Sequence, residues 1–211
     1  MENADFISAQ KMDVDSIFIP HFRGSKDNGE SVTPSQVSAT DPDWSREKCR
    51  CWWDPSRQLL KSIREYQKWQ ARGGILGGFL RSWNVLQHRF WSVVTGADIP
   101  LNCKIEGGLL LVHPNGVVIH PDASIGPNCL ILQQVTIVSG VKIGGHVDIG
   151  AGAKIVRPVT IGNHAKIGAN AVVLCDVPAG ATAVGIPAKI IKSEMRPKAM
   201  DSFTVAATSI V

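Results

Sequence analysis

Large aliphatic residues recur at every sixth position through the second half of the chain: Ile119, Ile125, Ile131, Ile137, Ile143, Ile149, Ile155, Ile161, Ile167 and Val173. Four residues after each lies a small or β-branched group, among them Ala123, Cys129, Val135, Val141 and Ala153. Neither a helix nor an ordinary strand has this period. Two inward rows on a six-residue beat predict a β-helix. Each hexapeptide supplies one short strand and one tight turn, three close a triangular coil, and stacked coils join their aliphatics into one interior column. Burial of each isoleucine contributes roughly 1.5–3 kcal/mol before conformational entropy is counted. Gly126, Gly144, Gly150, Gly162 and Gly168 follow the aliphatics where the chain turns, and are expected there to supply φ > 0.

Ile99, Ile105, Leu111 and Val117 keep the same period but are offset by two residues from the later row. The offset falls just after His113 and predicts an irregular loop there, the kind of place where a rigid scaffold carries chemistry. By register, Cys103 and Cys129 point inward as small apolar fillers.

Upstream, the pattern turns helical. Asp54-Pro55 offers a capping side chain followed by the residue best tolerated at the first helical position, and Leu59, Ile63, Tyr66 and Gln70 then trace one face up to Gly73-Gly74. A second stripe, Leu76, Phe79, Leu80, Trp83, Leu86 and Phe90, runs until Gly96. The two segments predict a short α-helical hairpin over 41–96 packed against the repeat region, its aromatic stripe being core or subunit contact. Residues 1–40 lack apolar periodicity and predict a disordered arm. The β-helix domain is expected over 97–192, with a tail at 193–211. The fold class is therefore mainly β, a left-handed parallel β-helix of hexapeptide repeats behind an α-helical hairpin.

Composition narrows the function. The 211 residues carry 22 basic and 18 acidic groups, a balance too mild to argue for nucleic acid and compatible with an anionic cofactor. Neither a signal core nor a run of about 18 apolar residues is present, so a cytoplasmic protein without a membrane span is expected. Five cysteines at irregular spacing suggest reduced thiols, and the lone Cys49-x-Cys51 lacks the second pair a tetrahedral metal site needs.

Residues 98–191, with Asp98, the segment LLLVHPNGVVI around His113, then IGAGAKI, IGANAVV and VGIPAKII, resemble the catalytic domain of serine acetyltransferases. The resemblance implies acetyl transfer from acetyl-CoA to a hydroxyl of a small acceptor, with His113 and Asp98 as the catalytic pair. An imidazole that is neutral near pH 7 can take the proton of an attacking alcohol, and a carboxylate can hold it in the useful tautomer. The resemblance further implies cofactor contacts at Ala151 and Ala169, at Leu174 and Cys175, and at Lys189 and Lys192, the lysines approaching the nucleotide phosphates. It also implies a homotrimer with sites between subunits, with the hairpin able to pair trimers.

Three features depart from that family. Its loop after the catalytic histidine is absent, because ILQQVTIVSGVKIGGHVDIG keeps the six-residue beat. Val112 stands where an aspartate normally precedes the histidine, and a Trp-rich hairpin replaces a longer helical domain. These departures place a sugar or polysaccharide hydroxyl just ahead of L-serine as acceptor. Two other classes compete. A γ-carbonic-anhydrase-like metal enzyme would use His146 and His164, which stack eighteen residues apart, but zinc needs a third ligand and no metal is expected. A non-catalytic β-helix scaffold would have no use for the Asp98 and His113 pair.

Overall fold

The computed structural model describes residues 37–72 and 74–191. A short 3-10 turn, Trp44–Glu47, leads into helices α1 (Pro55–Arg72) and α2 (Gly74–Thr95). Among the described residues fourteen strands follow, twelve of them only two residues long. The strands β1 (Lys104–Ile105), β4 (Ser124–Ile125), β7 (Lys142–Ile143) and β10 (Thr160–Ile161) form one sheet. A second holds β2 (Leu110–Leu111), β5 (Leu130–Ile131), β8 (Asp148–Ile149), β11 (Lys166–Ile167), β13 (Thr182–Val184) and β14 (Lys189–Ile191). The third comprises β3 (Val118–Ile119), β6 (Thr136–Ile137), β9 (Lys154–Ile155) and β12 (Val172–Val173). Pairing is parallel throughout except between β13 and β14. This is the mainly β solenoid behind two helices that the hexapeptide pattern predicts. Among the described residues no helix is long and apolar enough to cross a membrane.

Every two-residue strand buries its second residue and shows its first more fully, so the isoleucine row becomes the interior column. Ile119, Ile125, Ile131, Ile137, Ile149 and Ile155 are all essentially inaccessible. The column is held sideways by backbone: Ser124 N–H donates to Val141 O at 2.9 Å, Leu130 N–H to Val147 O at 2.9 Å, and Thr136 N–H to Ala153 O at 3.0 Å. Each coil thereby satisfies the next coil's peptide groups. Cys103 and Cys129 lie inside as expected, and burial pushes both thiols up to about 12.

Two details correct the sequence reading. Val118 pairs with Thr136 and Ile119 with Ile137, so Val117 aligns with Val135 in the small row and does not continue the Ile99, Ile105, Leu111 row. The five glycines after the aliphatics do not have φ > 0; that conformation falls two residues later, at Asn128, His146, Gly152, His164 and Asn170. Those glycines are needed for close approach instead. A Cβ on Gly126 would lie 2.6 Å from the carbonyl carbon of Gly144, and one on Gly150 2.6 Å from Ala169 N.

The helices dock on one end of the solenoid. Leu59, Leu60 and Ile63 of α1 are buried in the same cluster as the coil interior. Arg64 donates to Glu47 at 2.9 Å and to Glu106 O at 2.8 Å, and also reaches Ile105 O. Residues 38–47 strap across the coils. The Asn128 amide donates to Ser38 O and Asp41 O at 2.7 and 2.8 Å and accepts from Asp43 N. Residues 37–40, expected within the arm, thus lie against the coils, while 1–36 and the tail lie outside the described residues. Gly96, with φ 65°, ends α2 as expected. The stripe on α2, by contrast, does not pack on the solenoid: Phe79, Trp83, Leu86 and Phe90 are exposed, and the Leu76 side chain lies outside the described residues.

Gly126→Ala is expected to lower stability by roughly 1–3 kcal/mol, because the clash is with backbone that cannot move aside. Gly78→Ala, on α2 with nothing within 4 Å of the new Cβ, is expected to raise it by up to about 1 kcal/mol through helix propensity. Urea unfolding of the two variants checks the opposite signs.

Candidate active site

Between β2 and β3 the chain uses two residues more than the regular coil: the step from Leu111 to Ile119 is eight residues, where the other steps from Ile99 to Val173 are six. The extra length sits at His113-Pro114-Asn115-Gly116. His113 takes φ 53° and Gly116 φ 69°, and the His113 side chain is exposed. The loop is tied down on both sides. Gly116 N–H donates to Gly96 O at 2.8 Å, Val117 N–H to Pro114 O at 3.0 Å, and Gln134 N–H to Asn115 O at 2.9 Å. A non-glycine left-handed residue on a pinned loop is a local strain that the surrounding bonds must hold.

Asp98 enters beside this loop. Its N–H donates to Val117 O at 2.8 Å and its carbonyl accepts from Ile119 N at 3.0 Å, bridging it to Val118 of β3. Asp98 and His113 therefore sit on the same end of the solenoid, joined through the strand that follows the histidine. Among the described residues no hydrogen bond links the Asp98 carboxylate to the His113 ring.

Ala151 and Ala169 fall on the same corner as His113, between the second and third sheets. A backbone ladder climbs that corner: Gln134 N–H to Asn115 O, Gly152 N–H to Gln133 O and Asn170 N–H to Ala151 O, at 2.9, 2.8 and 2.8 Å. Leu174 and Cys175 lie past β12, at the opposite edge of the third sheet, and both are exposed. Lys189 is exposed on β14, whose register puts it opposite Val184. Lys192 lies outside the described residues. One chain thus gathers His113, Ala151 and Ala169 on one edge and leaves Leu174 and Cys175 on another.

The family's loop has no counterpart: β6 and β7 are joined by the ordinary corner, with Gly140 at φ 76°. A groove lined by Gln67, Gln70, Asn102, Lys104, Glu106 and Ser124 lies between α1 and the first sheet, away from the His113 corner. It arises from the docking of the hairpin, which periodicity does not reveal.

His146 and His164 do meet, with Nδ1 to Nδ1 at 2.9 Å and ring centroids 5.0 Å apart. Both occupy left-handed corner positions one coil apart. Among the described residues no group of three or more His, Cys, Asp or Glu is placed to hold a metal. Burial holds the His146 ring below its ordinary value, Asp148 opposing this and His164, Arg46 and Lys166 adding to it.

Residues 122–157 match the family described as "Bacterial transferase hexapeptide (six repeats)". The serine acetyltransferase of Synechococcus elongatus is 38% identical over 118 residues, covering 52% of this chain and 48% of the relative. The structure of soybean serine acetyltransferase complexed with serine superposes with a TM-score of 0.55 at 35% identity, covering 66% of this chain and 58% of the other. A serine acetyltransferase in complex with CoA gives 0.55 at 34% identity, over 66% and 57%. The chain carries a serine acetyltransferase-like hexapeptide-repeat domain. It spans about half or less of the length of the first curated relatives it matches.

The native state keeps the His146 ring neutral where the unfolded chain would protonate it, so the unfolded state binds more protons as pH falls below about 6.5. Stability present above that pH is therefore lost as pH falls through the depressed native value. Asp148, raised by burial, acts in the opposite sense nearer the carboxylate range. His146→Asn, a residue already found in this turn conformation at Asn128 and Asn170, is expected to flatten the fall in Tm between pH 7 and 5. Thermal melts of both proteins across that range check it.

Proposed function

We propose that this protein is an acetyl-CoA-dependent O-acetyltransferase in which His113 is the general base and Asp98 its orienting partner. The observation that carries the reading is the His113 loop. It is a two-residue enlargement of an otherwise regular coil, it holds an exposed imidazole at φ 53°, and Asp98 is bridged to the strand just after it. The reading is further supported by likeness to serine acetyltransferases, one of them in complex with CoA.

In this reading His113 accepts the hydroxyl proton of the acceptor as its oxygen attacks the thioester carbonyl carbon. The C–S bond then breaks, and the imidazolium returns the proton to the departing sulfur, giving an acetyl ester and free CoA thiol. Asp98, bridged to the strand just after the histidine, stabilises the imidazolium that forms. Ala151 and Ala169 line the pantetheine path with small side chains, Leu174 and Cys175 flank it, and Lys189, exposed on β14, supplies positive charge for the nucleotide phosphates, a role the resemblance also gives Lys192, outside the described residues.

Ala151 and Ala169 lie along one edge of the third sheet and Leu174 and Cys175 along the other, which supports a homotrimer in which one copy's His113 corner faces the other edge of its neighbour. The names of the relatives favour L-serine as acceptor. The plain corner at Gly140, where the family carries its substrate-holding loop, favours the second reading, a sugar hydroxyl.

His113→Ala is expected to lower turnover by about 10²–10⁴-fold while leaving the melting curve in place. Release of CoA thiol from acetyl-CoA, with L-serine and then sugars and nucleotide-sugars as acceptors, measures it. Equal turnover in wild type and variant would remove His113 from the mechanism, and the acceptor that supports the wild-type rate decides between serine and sugar.

A further inference from the structure

Asn128, His146 and His164 fall in successive coils at one corner, between the first and second sheets, each in the left-handed conformation at φ 60°, 52° and 59°. A corner of this kind asks only for a residue that tolerates φ > 0, a need met by Asn at 128 and 170 and by Gly at 152. Asn128 spends its amide on the strap, donating to Ser38 O and Asp41 O. The two histidine rings turn to each other instead, Nδ1 to Nδ1 at 2.9 Å. A lone hydrogen bond at a wet surface adds little stability, so neither the corner nor the bond accounts for two imidazoles here.

We propose that His146 and His164 form a chelating site for one late divalent transition-metal ion, Ni(II) or Cu(II), held by the two Nδ1 atoms with water completing its coordination. Three observations support this. The first is spacing. Two nitrogens each about 2.05 Å from one ion stand about 2.9 Å apart at an angle of about 90°, and about 3.3 Å apart at the tetrahedral angle. The observed separation is that of neighbouring ligands in a square or octahedral set, the geometry of Cu(II) and Ni(II) with nitrogen and oxygen donors. The second is placement. His146 N–H donates to Pro127 O at 2.7 Å, His164 N–H to Gly145 O at 3.0 Å, and Gly145 N–H to the Asn163 side-chain oxygen at 2.9 Å. Both backbones are thus pinned to adjacent coils, and the rings share an ion without backbone movement. The third is donor chemistry. With its proton on Nε2 each neutral ring offers an Nδ1 lone pair, and with one proton moved to Nδ1 the same pair closes on itself in the observed hydrogen bond. His146 is half-buried and His164 exposed, so an ion enters from solvent. Asp148, Arg46 and Lys166 all lie close enough to His146 to act on it electrostatically, the carboxylate offsetting the positive charge that the two cations and the ion bring together. The site stands at a different corner from His113 and takes no part in the acetyl transfer proposed above.

The test is calorimetric titration of nickel chloride into the untagged full chain at neutral pH, with thermal melts in the presence and absence of the ion. Wild type is expected to bind one Ni(II) per chain through this pair and to gain Tm, because a ligand of the folded state alone stabilises it. His146→Asn and His164→Asn are each expected to weaken binding by about ten-fold or more and to remove the Ni(II)-dependent rise in Tm. His113→Ala is expected to keep the wild-type affinity. Asparagine already occupies this turn conformation at 128 and 170, so both variants are expected to fold, and either one alone carries the test. Equal affinity in wild type and both variants would overturn the proposal, as would a wild-type chain that binds no Ni(II). So would binding that survives in both variants and disappears on thiol alkylation, which would place the ion on cysteines.

Discussion

The rest of this structure depends on the lateral backbone ladder between coils. Each two-residue strand donates and accepts in parallel with the strand one coil away, so the chain can close a coil only if each side returns to register after six residues. Side chains then have little choice: the second strand residue points in, the first points out, and most corners after them carry a glycine or a residue tolerant of φ > 0. The isoleucine column is a consequence of that register and also what stabilises it. Losing one ladder step would leave buried peptide groups unpaired.

Against such a regular frame, a departure from six is informative. The eight-residue step from Leu111 to Ile119 places His113 on a loop that the frame cannot absorb, and the bonds from Gly116 to Gly96 and from Gln134 to Asn115 hold it in place. The coil fixes the His113 backbone and leaves the side chain outside. The cofactor candidates are arranged differently. Ala151 and Ala169 lie on one edge of the third sheet and Leu174 and Cys175 on the other, so chemistry and assembly are linked in the proposed mechanism.

Much of this was legible from residue order because a solenoid is built from near neighbours. The six-residue beat places Ile131 and Ile149 in the column, sends Cys103 and Cys129 inward, and marks the loop at His113; Gly96 ends α2 for local reasons. What residue order did not show is long-range. Gly126 and Gly150 are small because the next coil's backbone passes within van der Waals reach, a contact invisible in the local pattern. Val117 changed rows because the loop consumes two residues, which periodicity alone could have placed on either side of it. Asn128 holds a strap some ninety residues earlier in the chain. The α2 stripe looks like any amphipathic helix; that its apolar face points to solvent is decided by which side of the hairpin docks.

That this frame binds acetyl-CoA for transfer chemistry is tested most directly by equilibrium binding. Titration of CoA into the full chain by calorimetry is predicted to show saturable binding at one site per chain. No detectable binding of CoA or acetyl-CoA to the folded protein would contradict the acetyltransferase reading, whatever the acceptor.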